Sequence, residues 1–184
     1  MKKDVIKKIF LCCLFGVFAQ VFSGCALRFI LEAIPGSAAQ YSSDMATLFE
    51  DNIWLIIRIA VIQPVIEELF FRFLIFGALK KHLPVLAANL IQAALFGLYH
   101  MKLVQGIYAF IIGLLLGVLF YETQTILATV GFHCIFNITG LLLDDIVPAD
   151  IPVTVRGGLL FTSLVICICL CFRIMPDRFK RQAS

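Results

Sequence analysis

The stretch PVIEELFFR, residues 64–72, places two acids and a base inside an apolar segment that extends from residue 53 to residue 79. A segment of this kind is typical of a bilayer-spanning helix, for which about 20 mostly apolar residues suffice. Each charged residue at the centre of such a helix costs about 2.5–3.5 kcal/mol on insertion scales. Glu67, Glu68 and Arg72 would together cost roughly 8–10 kcal/mol, so we expect them to face the interior of a helical bundle.

The whole chain is also unusually apolar. Of 184 residues, 61% are hydrophobic and 15% are charged, against about 45–50% and about 25% in soluble domains. We therefore predict an all-α membrane protein, with residues 1–184 forming a single domain in the lipid bilayer. The formal charge of +3 is too small to indicate a nucleic-acid partner. Six apolar segments are predicted as transmembrane helices: 9–33, 53–79, 83–101, 103–121, 125–143 and 157–174.

Basic residues near the segment ends predict the orientation. They cluster at the N-terminus, after segment two and at the C-terminus: Lys2, Lys3, Lys7, Lys8, Lys80, Lys81, Arg173, Arg178, Lys180 and Arg181. With six spans these regions fall on one side of the membrane, and Lys102 and Arg156 are the main exceptions. We expect a multi-pass protein of the plasma (inner) membrane with both termini inside.

The basic start followed by an apolar run also resembles a signal peptide. Residues 22–25, Phe-Ser-Gly-Cys, resemble a lipoprotein cleavage site. The apolar run nevertheless continues to Ile34 and is interrupted only by Arg28 and Glu32. A first membrane helix is the better interpretation.

Helical spacing separates the charged residues of segment two. Glu68 and Arg72 are four residues apart, with the acid first, which is the favourable order for an intrahelical ion pair. Glu67 lies about 100° around the helix from Glu68, which leaves it without a structural partner and facing another helix. Pro64 frees the carbonyl of Ala60, and a kink there would open space beside Glu67. A packing salt bridge alone would explain Glu68 and Arg72 but not Glu67.

Segments three and five carry polar residues on one helical face. The stripe of segment three is Asn89, Gln92, Phe96 and His100. The stripe of segment five is Thr125, Thr129, His133 and Asn137. At about 1.5 Å of rise per residue, the two histidines, Glu67 and Asn137 could meet in one chamber near the middle of the bilayer. Segment four has no such stripe, and its pair Gly113 and Gly117 predicts close helix packing.

These groups are sufficient for hydrolysis of a peptide bond. A carboxylate beside a histidine can deprotonate water, and a second histidine with an amide can supply donors to an oxyanion. No His-Glu-x-x-His motif is present, so a zincin-type site is excluded. Glu67, His100 and His133 could still bind zinc as an open three-ligand site. We favour a mechanism without a cofactor, and zinc is the alternative.

Three motifs resemble those of a known family. Residues 67–72 match E-E-x-x-x-R, residues 96–100 match F-x-x-x-H and residues 133–137 match H-x-x-x-N. In this order they resemble the CPBP family of intramembrane proteases, also called the Abi family, which includes CaaX proteases and bacteriocin-processing enzymes. The resemblance covers residues 53–143, in segments two to five.

The resemblance implies an intramembrane endopeptidase that acts on a CaaX-type, peptide-precursor or other membrane-associated substrate. It implies that Glu67 and His100 activate the water and that His133 and Asn137 form the oxyanion site. The supporting residues that it implies are Glu68 and Arg72. Members have been described both as metalloproteases and as glutamate-dependent proteases, and the sequence does not decide between the two mechanisms.

Two other functions compete with the protease. A non-proteolytic membrane scaffold or bacteriocin-immunity protein could share the fold, but it would have no need for Glu67. A small transporter or proton relay could use Glu67 and the histidines, but the sequence shows no inverted repeat of broken helices. The protease is therefore the preferred hypothesis.

Overall fold

The computed structural model describes residues 2–33, 53–146 and 151–174, which form helices joined by short connections. We number the helical segments α1 to α6 in chain order. Their bounds are Lys2–Ala33 (α1), residues 53–79 (α2), Val85–Tyr99 (α3), Leu103–Thr123 (α4), Ile126–Ile146 (α5) and Val153–Ile174 (α6). These helices follow the six predicted segments to within a few residues at most ends, and the prediction of an all-α membrane protein is confirmed.

The helices differ in their capacity to cross a bilayer. Within the described ranges, α1, α4, α5 and α6 are each long and apolar enough to span it. The third helix has only 15 residues, fewer than the roughly 20 that a span requires. It ends at a turn in which Met101 takes a positive φ of 61°. The predicted third span, residues 83–101, is therefore shorter than expected.

The second helix is continuous but changes its backbone type along its length. Its α-helical parts are Ile53–Ile57, Gln63–Glu67 and Gly77–Leu79, and its π-helical parts are Arg58–Ile62 and Glu68–Phe76. Pro64 has no N–H to donate to the carbonyl of Ala60. The turn before it is widened, and the N–H of Gln63 bonds to the carbonyl of Arg58, five residues earlier. The backbone thus accommodates Pro64 by a π-helical widening, a feature that is frequent at functional sites.

Contacts at the helix ends show an up-and-down arrangement. Lys8 Nζ in α1 donates to the carbonyl of Glu122 near the end of α4 over 3.4 Å. Lys80, just after α2, lies 5.2 Å from the centre of the Phe120 ring in α4. The start of α1 and the ends of α2 and α4 therefore lie together. The choice of this end as the inside remains a prediction, and Arg178, Lys180 and Arg181 lie outside the described residues.

At the opposite end of the bundle lies Arg156, one of the two main basic residues that fall outside the basic clusters. Arg156 in α6 is buried and pairs through both terminal nitrogens with Glu32 near the end of α1; the longer contact is 2.9 Å. Its guanidinium also lies 4.6 Å from the centre of the Phe29 ring. Because this charge is neutralised within the bundle, Arg156 does not weigh against the predicted orientation.

The largest core lies between α1, α4, α5 and α6. Phe15 of α1 meets Phe132 of α5 edge to face, with ring centres 5.4 Å apart. Leu116 of α4 and Ile174 of α6 are fully buried in the same cluster. The second helix contacts α5 through both of its π-helical parts, whereas its contacts with α3 and α4 come mainly from Glu68–Phe76. Glu67, Glu68 and Arg72 of α2 therefore lie at the junction with α3, α4 and α5.

Glycines bring α3 and α4 into close contact, as the predicted packing role of segment four requires. A Cβ atom on Gly97 would lie 2.7 Å from the carbonyl oxygen of Gly106, which is backbone and cannot rotate away. We expect Gly97→Ala to separate the two helices and lower the free energy of unfolding by about 1–3 kcal/mol. Thermal unfolding in detergent measures the change.

The matched control for this substitution is Gly157→Ala in α6. A Cβ atom there would meet nothing within 4 Å. Because alanine favours a helix over glycine by about 1 kcal/mol, the control should be neutral or stabilising. Equal stability of the two variants would contradict the close packing of α3 on α4.

Candidate active site

His133 of α5 lies between the two adjacent glutamates of α2. Its Nδ1 is 2.9 Å from Glu68 Oε1, and its Nε2 is 3.7 Å from Glu67 Oε2. All three side chains are buried, with 5% or less of each residue exposed. The first contact is a hydrogen bond, whereas the second is too long for one. The imidazole is thus fixed on one side by Glu68 and open to Glu67 on the other.

The predicted ion pair between Glu68 and Arg72 is confirmed. Arg72 Nη1 lies 3.0 Å from Glu68 Oε1, and both side chains are fully buried. The guanidinium also lies 4.2 Å from the centre of the Phe96 ring, and Nη2 is 3.5 Å from the carbonyl oxygen of Gly113. The same oxygen of Glu68 therefore serves both Arg72 and His133.

Several polar atoms of this ion pair lack hydrogen bonds, which is unusual for a pair that serves only the structure. Glu68 Oε2, Arg72 Nε and Arg72 Nη1 have no hydrogen-bond partner in the described part of the chain. Arg72 Nη1 is close to Glu68 Oε1, but its hydrogens are not aligned with that oxygen. A buried pair with unmet polar atoms stabilises a fold little or not at all. Its clearest effect is to hold an ionised acceptor against His133 Nδ1.

Glu67 has a partner that was not predicted from the sequence. Gln63 Nε2 donates to Glu67 Oε1 over 2.8 Å, so the expectation that Glu67 lacks a structural partner is wrong. The two residues are four apart in an α-helical turn, which brings their side chains together. That spacing was visible in the sequence, and a search for i, i+4 partners of Glu67 would have found Gln63.

His100 lies at the turn that ends α3, and its observed contacts stay within its own helix. Its Nδ1 is 2.8 Å from the carbonyl oxygen of Phe96, and its ring meets the Phe96 ring edge to face at 4.8 Å. Because a carbonyl only accepts, Nδ1 carries a hydrogen, and in the neutral imidazole Nε2 is then the acceptor. The ring of Phe96 also faces His133, at 6.0 Å. Of the two histidines, the described structure pairs His133 with Glu67, whereas His100 was the partner expected from the sequence.

Asn137 supports the widened turn of α2. Its Nδ2 donates to the carbonyl oxygen of Ile59 over 3.0 Å, and the thiol of Cys134 lies 4.0 Å from the carbonyl oxygen of Val61. Both carbonyls belong to the π-helical part before Pro64. One amide hydrogen of Asn137 therefore anchors α2 to α5, and the second remains for other partners.

The polar stripe of α3 divides into two parts. Asn89 Nδ2 donates to the carbonyl of Leu114 over 3.0 Å, and Gln92 Nε2 donates to the carbonyl of Gly113 over 2.9 Å. These amides bind the backbone of α4 and hold the α3–α4 hairpin together. Gln92 shares the Gly113 carbonyl with Arg72. In the second part of the stripe, Phe96 packs on the Arg72 guanidinium, and His100 follows at the end of the helix.

The three residues predicted as an alternative zinc set are not gathered as ligands. In the described ranges, no group of three or more histidine, cysteine, aspartate or glutamate side chains is placed to hold a metal ion. Glu67 approaches His133, but the described polar contact of His100 lies in α3 and does not join it to Glu67 or His133. The arrangement of these side chains therefore does not fit a three-ligand zinc site.

The charges of the cluster suit proton transfer. Glu68 is paired with Arg72, whereas the described contacts of Glu67 are with Gln63 and His133. With Nδ1–H donated to Glu68, the Nε2 atom of a neutral His133 is an acceptor, as is Oε2 of an ionised Glu67. A water molecule that donates one hydrogen to each would be held for deprotonation.

Comparison with known proteins gives one match. The family model of type II CAAX prenyl endopeptidase Rce1-like proteins matches residues 49–139. The match includes all three sequence motifs, from Glu67 to Asn137. Searches of curated proteins and of solved structures found no significant match.

Proposed function

Because this chain belongs to the CPBP family of CAAX-type membrane proteases, we propose that it is an intramembrane endopeptidase that hydrolyses a peptide bond by a metal-free glutamate mechanism. The observation that carries the proposal is the arrangement of Glu67, His133 and Glu68. It joins a proton acceptor to an imidazole whose tautomer is fixed by a second carboxylate. This is the order of groups that general-base catalysis requires.

The proposed reaction begins with the water held by Glu67 and His133. Glu67 takes a proton as the water oxygen attacks the carbonyl carbon of the scissile bond, and the carbonyl oxygen becomes an oxyanion. The second amide hydrogen of Asn137 can donate to that oxyanion. The proton then passes to the amide nitrogen of the leaving group as the C–N bond breaks. His100, when neutral, offers Nε2 as a second acceptor at the end of α3.

The substrate class of the proposal is a membrane-associated chain with its scissile bond near the bilayer. The most specific form is a prenylated CAAX-type C-terminus, and a peptide precursor is the broader one. The four long apolar helices suit a protein that lies in the bilayer beside a membrane-associated substrate.

The test is a cleavage assay with the full-length protein in liposomes. The probes are a farnesylated CAAX peptide and the same peptide without the lipid, with products identified by mass spectrometry. We expect release of the C-terminal tripeptide from the farnesylated probe. Failure of the folded wild-type protein to cleave either probe would overturn the CAAX form of the proposal.

A chelator added to the same assay separates the two mechanisms. We expect the rate to remain unchanged after treatment with 1,10-phenanthroline, since Glu67 and His133 supply the base without a metal. Loss of cleavage that zinc restores would instead assign the reaction to a metal-bound site. Protein from which the chelator has been removed by dialysis serves as the control.

A further inference from the structure

Gln63 is the hydrogen-bond donor that fixes the orientation of Glu67. Its Nε2 lies 2.8 Å from Glu67 Oε1, and a carboxylate with a charged oxygen forms a strong bond to such a donor. We propose that Gln63 is a positioning residue, which holds Glu67 so that Oε2 faces His133 and the attacking water. The inference rests on the proposed protease function and extends it to a residue outside the three sequence motifs.

The backbone of α2 brings the two side chains together. Gln63 and Glu67 are the first and last residues of an α-helical turn that has π-helical parts on both sides. In an α-helix, residues four apart lie one above the other. A π-helix closes its turn with a bond to the fifth residue, so the same spacing would not align them there. The α-helical geometry of Gln63–Glu67 therefore aligns the two side chains.

No other described side chain holds Glu67 in this way. Among the described residues, Gln63 is the one donor within hydrogen-bond distance of the Glu67 carboxylate. His133 Nε2 lies farther away, 3.7 Å from Glu67 Oε2. Arg72 is engaged with Glu68, and the contacts of His100 lie in α3. Without Gln63, the carboxylate would be free to rotate away from His133.

The test compares kcat and KM of Gln63→Leu with those of the wild type on a cleaved probe. The substitution keeps a similar volume and removes the donor. We expect kcat to fall about ten- to hundredfold, because a misplacement near 1 Å can cost about that much. KM should stay within about threefold, since Gln63 acts on the base rather than on substrate binding.

The matched control is Gln20→Leu in α1. Gln20 is also half-buried and makes one hydrogen bond of 2.8 Å, which it accepts from Tyr108. The control loses the same kind of bond away from Glu67, so its kcat should stay within about twofold of the wild type. If Gln63→Leu does not fold, Gln63→Met carries the same test, because it removes the donor, keeps a similar volume and adds no charge.

The outcomes separate this inference from the proposed function. A wild type that cleaves, with Gln63 variants as fast as Gln20→Leu, overturns the role of Gln63 alone. A folded wild type that cleaves no probe overturns the proposed function and this inference with it. A lower kcat with normal KM and an unchanged thermal midpoint supports the positioning role.

Discussion

Glu67→Gln should lower kcat/KM for peptide cleavage by about 10²–10⁴-fold, the usual contribution of a positioned general base. Glutamine keeps the size of the side chain and can still meet Gln63 and His133, but its amide cannot take a proton from water. The protein should remain folded in the membrane, since Glu67 makes no ion pair with Arg72. Single-turnover cleavage in liposomes measures the loss.

Glu32→Gln provides the control for this experiment. The substitution is the same, but Glu32 lies near the C-terminal end of α1, where it pairs with Arg156. The control should lower thermal stability and leave kcat unchanged, because α1 is not among the main contacts of α2. Wild-type cleavage by Glu67→Gln would overturn the glutamate mechanism and favour the scaffold hypothesis or a different base.

Arg72→Met should destabilise the protein by about 3–5 kcal/mol, the usual cost of leaving one buried charge unpaired. Glu68 is fully buried, and its Oε2 has no hydrogen-bond partner in the described ranges. The guanidinium is therefore the principal compensation for its charge. Chemical unfolding in detergent, compared with the wild type, measures the difference in the free energy of unfolding.

The double variant Glu68→Leu with Arg72→Met separates stability from catalysis. Apolar groups of similar volume often restore the stability lost with a buried ion pair. The free energy of unfolding should therefore return close to the wild-type value. The double variant should not cleave the peptide, because His133 Nδ1 has lost the Glu68 oxygen that lies 2.9 Å from it and orients the ring. Recovery of both stability and cleavage would show that the pair serves packing alone.

Several features of the fold were predictable because they depend on local sequence. Hydrophobic run lengths determine where helices can cross a bilayer. Each predicted segment coincides with a helix, and the ends of α2, α3 and α4 differ from the prediction by two residues or fewer. The pairing of Glu68 with Arg72 depends only on their spacing of four residues and on their exclusion from lipid. The family motifs likewise lie in the residues that the family model matches.

The site itself depended on tertiary structure. Depth estimates along ideal helices brought Glu67, both histidines and Asn137 into one chamber. The structure pairs Glu67 with His133, binds Asn137 to the carbonyl of Ile59 and leaves the contacts of His100 within α3. Each π-helical turn adds a residue and rotates everything beyond it, so side-chain directions along α2 cannot be read from a constant 3.6-residue repeat.

The sequence by itself determined that the chain is a helical membrane protein and that charged residues of α2 must face its interior. The physical reason is the cost of charge in lipid, which applies to any arrangement of the helices. Only the tertiary structure decided which histidine meets Glu67. That contact depends on how α5 packs against α2, whose π-helical turns change the directions of its side chains.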